Sequence, residues 1–125
     1  MCVFQIKKNP SGRYYFVFLE EMHVKEKEGF YIVSKSYTDR ALLEDSIVQL
    51  RKFSDISEII TDENKLRYPC FFVKQDSCHQ FYFHAFGIKG DLVMTSMSFQ
   101  SRQACHKGIH MIKMKSKESR IIDLT

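Results

Sequence analysis

The segments GRYYFVFLEE at residues 12–21 and HQFYFHAFGI at residues 79–88 are two similar aromatic runs in different halves of the chain. In both, aromatic and apolar side chains are dense enough for a β-strand whose alternate residues enter a core. Two copies of one strand indicate an internal repeat. The fold is then predicted from the repeated unit and not from single elements.

The two halves of the sequence correspond over most of their length. The first half has extra residues in the charged segment EMHVKEKEG at 21–29, and the apolar pattern is otherwise preserved. The corresponding pairs are Phe4 and Phe71, Ile6 and Val73, Lys7 and Lys74, Tyr15 and Tyr82, Ser34 and Ser96, Ser36 and Ser98, Arg40 and Arg102, Ile47 and Ile109, and Leu50 and Ile112. We therefore predict two copies of one unit, at about 3–62 and 70–125, joined by 63–69 within a single domain.

Each unit is predicted to have the order β-β-β-α-β, which makes the protein α+β. Two strands are separated by a turn, NPSG in the first unit and DSCH in the second, and a third strand follows. Asp39 and Ser101 are suitable helix N-caps. Leu43 and Ile47 lie one helical turn apart on one face, which predicts an amphipathic helix. A short final strand is expected near Ile59 and Ile121.

These motifs resemble the YegP-like domains of unknown function. The resemblance rests on the opening strand with Phe4, Ile6 and Lys7, on the aromatic strand, on the S-x-S-Y or S-x-S-F segment and on the helix that follows. It covers nearly the whole chain. The resemblance implies that two β-β-β-α-β units build a single antiparallel-rich sheet with exchanged C-terminal strands. It implies no established reaction.

Composition restricts the class of protein. The chain has 125 residues, is 44% hydrophobic and carries a net charge of +4, which suits one globular domain and does not require a polyanionic partner. The segment MCVFQIKKNPSG lacks the apolar stretch of a signal peptide, and no segment approaches the ~18 apolar residues of a membrane span. We expect a cytoplasmic protein without a membrane partner. Its four cysteines lack C-x-x-C spacing and are predicted to be free thiols.

A candidate binding face follows from the alternation of the aromatic strands. Tyr14, Phe16 and Phe18 are predicted to face the helices, together with Phe81, Phe83 and Ala85. The opposite face then carries the candidate binding residues Lys7, Tyr15, Lys74, Tyr82 and His84. Two interpretations remain open. The simpler one is cross-strand packing with solvated lysines, and the other is single-stranded nucleic-acid binding, in which bases stack on rings and phosphates meet ammonium groups.

Other candidate chemistry is weaker. His106 and His110 are spaced one helical turn apart and could chelate a metal, but Cys105 belongs to the apolar stripe, so we predict no metal site. Ser34 and Ser96 have no consistently placed histidine beside them and are predicted to form local hydrogen bonds. No phosphate-binding or dinucleotide-binding loop occurs, so we expect no catalytic residues and no cofactor.

The sequence thus favours a small, non-enzymatic interaction or accessory protein. The sequence does not identify the partner: a protein is one candidate, and weak binding of single-stranded nucleic acid is the alternative; a small-molecule enzyme ranks third. Because two units joined in one chain cover edge strands that would otherwise pair with other molecules, we expect a monomer, with dimerisation open to the remaining edges.

Overall fold

The computed structural model describes residues 2–20 and 31–125. The charged segment at 21–29 and residue 30, where the third strand was expected to begin, lie outside these residues. The chain is α+β, as predicted, and its described part has eight strands and two α-helices. The elements are β1 Cys2–Lys8, β2 Tyr14–Glu20, β3 Tyr31–Val33, α1 Arg40–Phe53, β4 Glu58–Ile60, β5 Cys70–Gln75, β6 Phe81–Phe86, β7 Leu92–Thr95, α2 Arg102–Lys115 and β8 Arg120–Asp123.

The strands form two four-stranded mixed sheets. The first has the order β3-β2-β1-β8 and the second the order β4-β5-β6-β7. Hairpin neighbours pair antiparallel, whereas β8 pairs parallel with β1 and β4 pairs parallel with β5. The expectation of a single sheet is therefore wrong: β3 and β7 meet only through an isolated antiparallel bridge between Ser34 and Ser96.

Two serine side chains form hydrogen bonds at the place where the sheets meet. The hydroxyl of Ser34 accepts a hydrogen bond from the backbone N–H of Phe16, at 3.0 Å, and donates to the carbonyl of Lys35. Ser96 does the same with Phe83 and Met97. In each case the hydroxyl accepts one hydrogen bond in place of a backbone carbonyl, while the N–H of the serine still donates to the carbonyl of Phe16 or Phe83, so the ladder becomes irregular at this point.

Both helices begin at the predicted caps and bury the predicted stripe. Asp39 accepts a hydrogen bond from the N–H of Ala41, at 2.8 Å, and Ser101 accepts one from Ala104, at 3.0 Å. These bonds satisfy amides that have no partner within the helix. The residues buried from α1 and α2 are Leu43, Ile47, Leu50, Cys105, Ile109 and Ile112, together with Ser46 and Gly108.

One hydrophobic core joins both sheets and both helices. It contains Phe16 and Phe18 from β2, Phe83 and Ala85 from β6, and the apolar stripes of the helices. The prediction that these strand residues face the helices is confirmed by their burial. The opposite face of each sheet, which we call the open face, carries the other set of alternating residues.

Candidate binding face

The candidate residues of the sequence lie on the open face as two cross-strand pairs. In the first sheet Lys7 lies opposite Tyr15, and in the second sheet Lys74 lies opposite Tyr82. Each lysine follows a buried core residue and each tyrosine precedes one, which places these side chains away from the helices. Both tyrosines are partly exposed, and so is Lys7, whereas Lys74 is exposed.

His84 extends the second pair along β6. Its ring makes an edge-to-face contact with Tyr82, with 5.3 Å between the ring centroids. Its Nδ1 lies 2.8 Å from Oγ1 of Thr95 on β7. Partial burial, followed by the positive charges of Lys74 and Lys35, lowers the pKa of His84 below its ordinary value. Burial first, and then the cations on the same face, therefore favour the neutral imidazole.

Lys35 links the two pairs, and sequence reasoning missed it. Its backbone N–H donates to the carbonyl of Thr95, at 3.0 Å, across the join between the sheets. Its Nζ lies 5.9 Å from the ring centroid of Tyr82, within the range of a cation–π contact. The only signal in the sequence is its place between the paired serines, which says nothing about which strands meet. We call Lys7, Tyr15, Lys35, Tyr82 and Lys74 the lysine-tyrosine row.

Two adjacent depressions accompany the row in the first half of the chain. One has a volume of about 560 Å³, and its lining is Gln5, Lys7, Tyr15, Val17, Leu19, Tyr31 and Val33. The other has a volume of about 440 Å³ and continues past Lys35 to Met97 on the segment after β7. Tyr15 and Val33 line both. The depressions thus form one concave, largely apolar surface that crosses from the first sheet towards the second.

The open face of the second sheet is partly covered by the chain itself. Ile60, Cys70 and Phe72 form a small second cluster, against which Leu66 and Phe86 pack. The ring of Tyr68 also meets Phe86 edge to face, at 5.6 Å. Leu66 and Tyr68 both lie in the joining segment 63–69. The uncovered part of this face is therefore the end with Tyr82, His84 and Lys74.

The row lysines are not neutralised by ion pairs in the described part of the chain. The four ion pairs found there join Arg40 to Glu44 and Asp123, Arg67 to Glu58, and Lys117 to Asp55. All of them use other cations. Glu63 lines a depression beside Lys74, but the two are not within ion-pair distance. The row thus presents positive charge next to aromatic rings.

The remaining candidates have structural partners. Ser34 and Ser96 form the strand-end hydrogen bonds described above, and Ser98 donates to Asp76 at 2.9 Å. All four cysteines are free thiols, with Cys78 exposed and the others buried; burial raises the pKa of Cys105 to about 12. Across residues 2–20 and 31–125, no three histidine, cysteine or carboxylate side chains are grouped so as to hold a metal.

His106 is the exception among the buried polar groups of α2. Its Nε2 is buried and has no hydrogen-bond partner. Burial, with the charges of Arg102 and His110, lowers the pKa of His106. A neutral ring tolerates this position because it has no net charge to desolvate.

Among the described helices, none is both long and apolar enough to span a membrane.

The fold and its open face define a class of small α+β domain, the YegP-like fold, in which helices cover one side of the sheets. The chain is similar to two solution NMR structures of this kind. A UPF0339 protein from Shewanella oneidensis has a TM-score of 0.70 and 19% identity, with 99% of this chain and 92% of that chain covered. The protein of unknown function yegP from E. coli has a TM-score of 0.67 and 20% identity, with 99% and 93% covered.

These similarities confirm the YegP-like resemblance at the level of the fold. No protein-family model matches the chain, and a search of curated proteins finds no match either. The yegP structure is that of a protein of unknown function. Function must therefore be argued from the surface of this chain.

Proposed function

We propose that the protein is a non-enzymatic interaction domain that binds its partner on the open face, along the lysine-tyrosine row. The observation that carries the proposal is the position of Lys35, whose ammonium lies 5.9 Å from the ring of Tyr82. Through it, residues from both halves of the chain form one surface. A partner that crosses the join contacts more area than either sheet offers alone.

The composition of this surface supports a binding role. Partly exposed tyrosines provide large apolar contact area and a hydroxyl, and they are common at the centre of interfaces. Here Tyr15 lines both parts of the concave apolar surface, and Lys7 and Lys35 line one part each. Such an arrangement of an apolar centre and a charged rim is typical of protein interaction surfaces.

We further propose that this surface arises from a duplicated unit, with copies at 3–62 and 70–125 in one domain and with their last strands exchanged. Three pairs of corresponding contacts support the duplication. Ser34 and Ser96 pair with each other across the join, and the hydroxyls of Ser54 and Ser116 lie 2.7 Å apart. Arg51 donates to the carbonyl of Ser119, and its counterpart Lys113 donates to the carbonyl of Ser57.

A monomer is proposed as the working form in the cytoplasm. The exchange of β4 and β8 supports this, because it pairs one edge of β5 and of β1 within the same chain. The outer edges of β4 and β8 are where a dimer would form, since unpaired backbone groups of edge strands accept another strand. Sedimentation equilibrium over a range of protein concentrations tests this proposal.

Site-specific photo-crosslinking in cells tests the proposed binding face. A photoreactive residue replaces Met97, which is 51% exposed beside the row, and in a matched variant it replaces Met114, which is 73% exposed on α2. We expect discrete crosslinked products from position 97 and none from position 114. The higher exposure of Met114 makes it a stringent control for chance collisions.

A second comparison connects the products to the row. The photoreactive residue is again placed at position 97, now in a protein that also carries Tyr82→Leu and Lys35→Gln. The products are expected to disappear while the protein keeps its unfolding midpoint. Equal crosslinking from positions 97 and 114, or products that persist in the altered row, would contradict an interaction domain that uses this face.

A further inference from the structure

We propose that the partner on the open face is a single-stranded nucleic acid, whose bases stack on Tyr15 and Tyr82 and whose phosphates contact Lys7, Lys35 and Lys74. This inference rests on the proposed function and names the class of ligand for that face. It is carried by the charge and the aromatic geometry of the row together, because each of the two alone suits many partners.

Charge complementarity is the first step. Three lysines of the row lie on one face, and the ion pairs of the described residues use none of them. The chain as a whole has a net charge of +4. A polyanion with regularly spaced charges neutralises such a row without competing with an existing carboxylate partner.

The surroundings of His84 show where the charges of the row converge. Its pKa is lowered first by burial and then by Lys74 and Lys35, which belong to different sheets. Both cations therefore act on a single point of the face. A phosphate placed between them would meet two ammonium groups and the O–H or ring N–H of neighbouring side chains.

The aromatic rings favour single-stranded nucleic acid over a duplex. Tyr15 lies on β2 and Tyr82 on β6, three strand positions apart through β3 and β7. Since neighbouring strands lie ~4.8 Å apart, the backbones that carry the two rings are about 14 Å apart across the join, a distance that an extended single strand covers in a few nucleotides. Bases inside a duplex are already stacked and cannot use a protein ring in this way.

Direct binding to labelled oligonucleotides tests the inference. Fluorescence anisotropy is measured with single-stranded RNA and DNA of about 12 nucleotides, a length within the site sizes of single-strand binding folds. A duplex of the same length serves as the control ligand. We expect micromolar affinity for single strands and weaker binding of the duplex. With three phosphate contacts, a threefold rise in salt should weaken binding about tenfold.

Paired variants distinguish the row from general surface charge. Tyr82→Leu removes one stacking ring and should weaken binding about tenfold or more. Lys35→Gln should reduce the slope of log affinity against log salt concentration by the contribution of about one phosphate contact. The matched controls are Tyr14→Leu and Lys8→Gln. Tyr14 precedes Tyr15 and lies on the helix-facing side of the sheet, where the ammonium of Lys8 is 5.4 Å from its ring centroid. These should leave the affinity unchanged in folded protein.

A variant that should bind more tightly provides a test whose result a folding defect cannot imitate. Glu63 lines the depression beside Lys74, so Glu63→Gln removes a negative charge near a phosphate position. It should strengthen single-strand binding severalfold at low salt, an effect that a damaged protein would not show. The same change should have no effect at high salt, where the added attraction is screened.

The outcomes separate this inference from the proposed function. Absence of binding at low salt, equal affinity for single strands and duplex, or equal losses from Tyr14→Leu and Tyr82→Leu would each overturn nucleic acid as the ligand. If crosslinks from position 97 were then protein products that nuclease does not remove, the interaction domain would stand with a protein partner. If neither crosslinks nor oligonucleotide binding occurred, both proposals would fall.

Discussion

The two sheets of the protein agree on the face that packs against the helices and differ on the open face. On the core side Phe16 of β2 and Phe83 of β6 are both fully buried. On the open side Val17 of the first sheet is matched in β6 by His84, and Leu19 by Phe86. The shared core restricts one face of each strand and leaves the other free to differ.

Within the open faces one feature remains alike in both sheets. Lys7 lies opposite Tyr15, and Lys74 lies opposite Tyr82. Neither pair belongs to the hydrophobic core, so core packing does not explain why both sheets have it. The open faces of the two sheets differ elsewhere but share these lysine-tyrosine pairs. We place the binding site at the lysine-tyrosine row because the core does not require this shared feature.

The largest expected effect tests whether the two halves share one core. Phe16→Ala and Phe83→Ala each remove a fully buried ring, and each should lower the free energy of unfolding by about 3–5 kcal/mol. Urea unfolding followed by circular dichroism and by tyrosine fluorescence measures it. Because both rings lie in one cluster, each variant should still unfold in a single transition. Two separated transitions would show that the halves fold independently.

A smaller effect is expected at the contact between the halves. The hydroxyls of Ser54 and Ser116 are buried and lie 2.7 Å apart, and Ser54 also lies 3.5 Å from the carbonyl of Ile112. Ser54→Ala leaves the Ser116 hydroxyl without this partner and should cost about 1–3 kcal/mol. Ser116→Ala should cost less, because Ser54 retains the carbonyl of Ile112.

A double-mutant cycle isolates this contact. In the variant with both Ser54→Ala and Ser116→Ala, neither hydroxyl is left unsatisfied, so the combined loss should be smaller than the sum of the single losses. Urea unfolding of all four proteins gives the coupling. Strict additivity would mean that the two serines do not stabilise each other and that the halves are held by apolar contacts alone.

The first hairpins of the two halves differ in their turn residue, and this predicts opposite responses. Gly12 has a φ of 81° in one turn, and His79 has a φ of 62° in the other. A left-handed conformation is strained for histidine and unstrained for glycine. Gly12→Ala should therefore destabilise the protein by about 1 kcal/mol, whereas His79→Gly should be neutral or stabilising by less than that. Thermal unfolding measures both, and a loss of stability in His79→Gly would contradict this account.

Most elements of the fold were accessible from the sequence because they depend on local patterns. The caps Asp39 and Ser101, the buried stripe of each helix and the inward set of strand residues follow from spacing and side-chain chemistry within a few positions. The cross-strand pairs of Lys7 with Tyr15 and of Lys74 with Tyr82 follow from hairpin pairing. These are short-range consequences of alternation.

What failed depended on contacts between distant segments. The single sheet was implied by the family resemblance and is wrong, because the two halves meet only through the bridge between Ser34 and Ser96, which has no local signature in the sequence. Lys35 was missed for the same reason. Its place beside Tyr82 results from the bridge between β3 and β7, two short segments whose pairing has no local signature. Part of the candidate site thus exists only through the join.

The smallest effect tests that join through the pKa of His84. Burial and the charges of Lys74 and Lys35 lower this pKa, so the folded protein takes up the proton less readily than the unfolded chain, whose pKa is about 6.5. The resulting contribution to stability is complete above about pH 6.5 and is lost as the pH falls towards the folded-state pKa. His84→Val, which copies Val17 of the first sheet, should reduce this loss.

Lysine variants show whether both sheets act on the same histidine. Lys35→Met, from the first sheet, and Lys74→Met, from the second, should each raise the pKa of His84, as measured from its imidazole NMR signals during a pH titration. Lys52→Met, at the exposed end of α1, is the matched control and should leave it unchanged. If only Lys74→Met moved the pKa, Lys35 would not reach the second sheet in solution, and the lysine-tyrosine row would be two separate pairs instead of one surface.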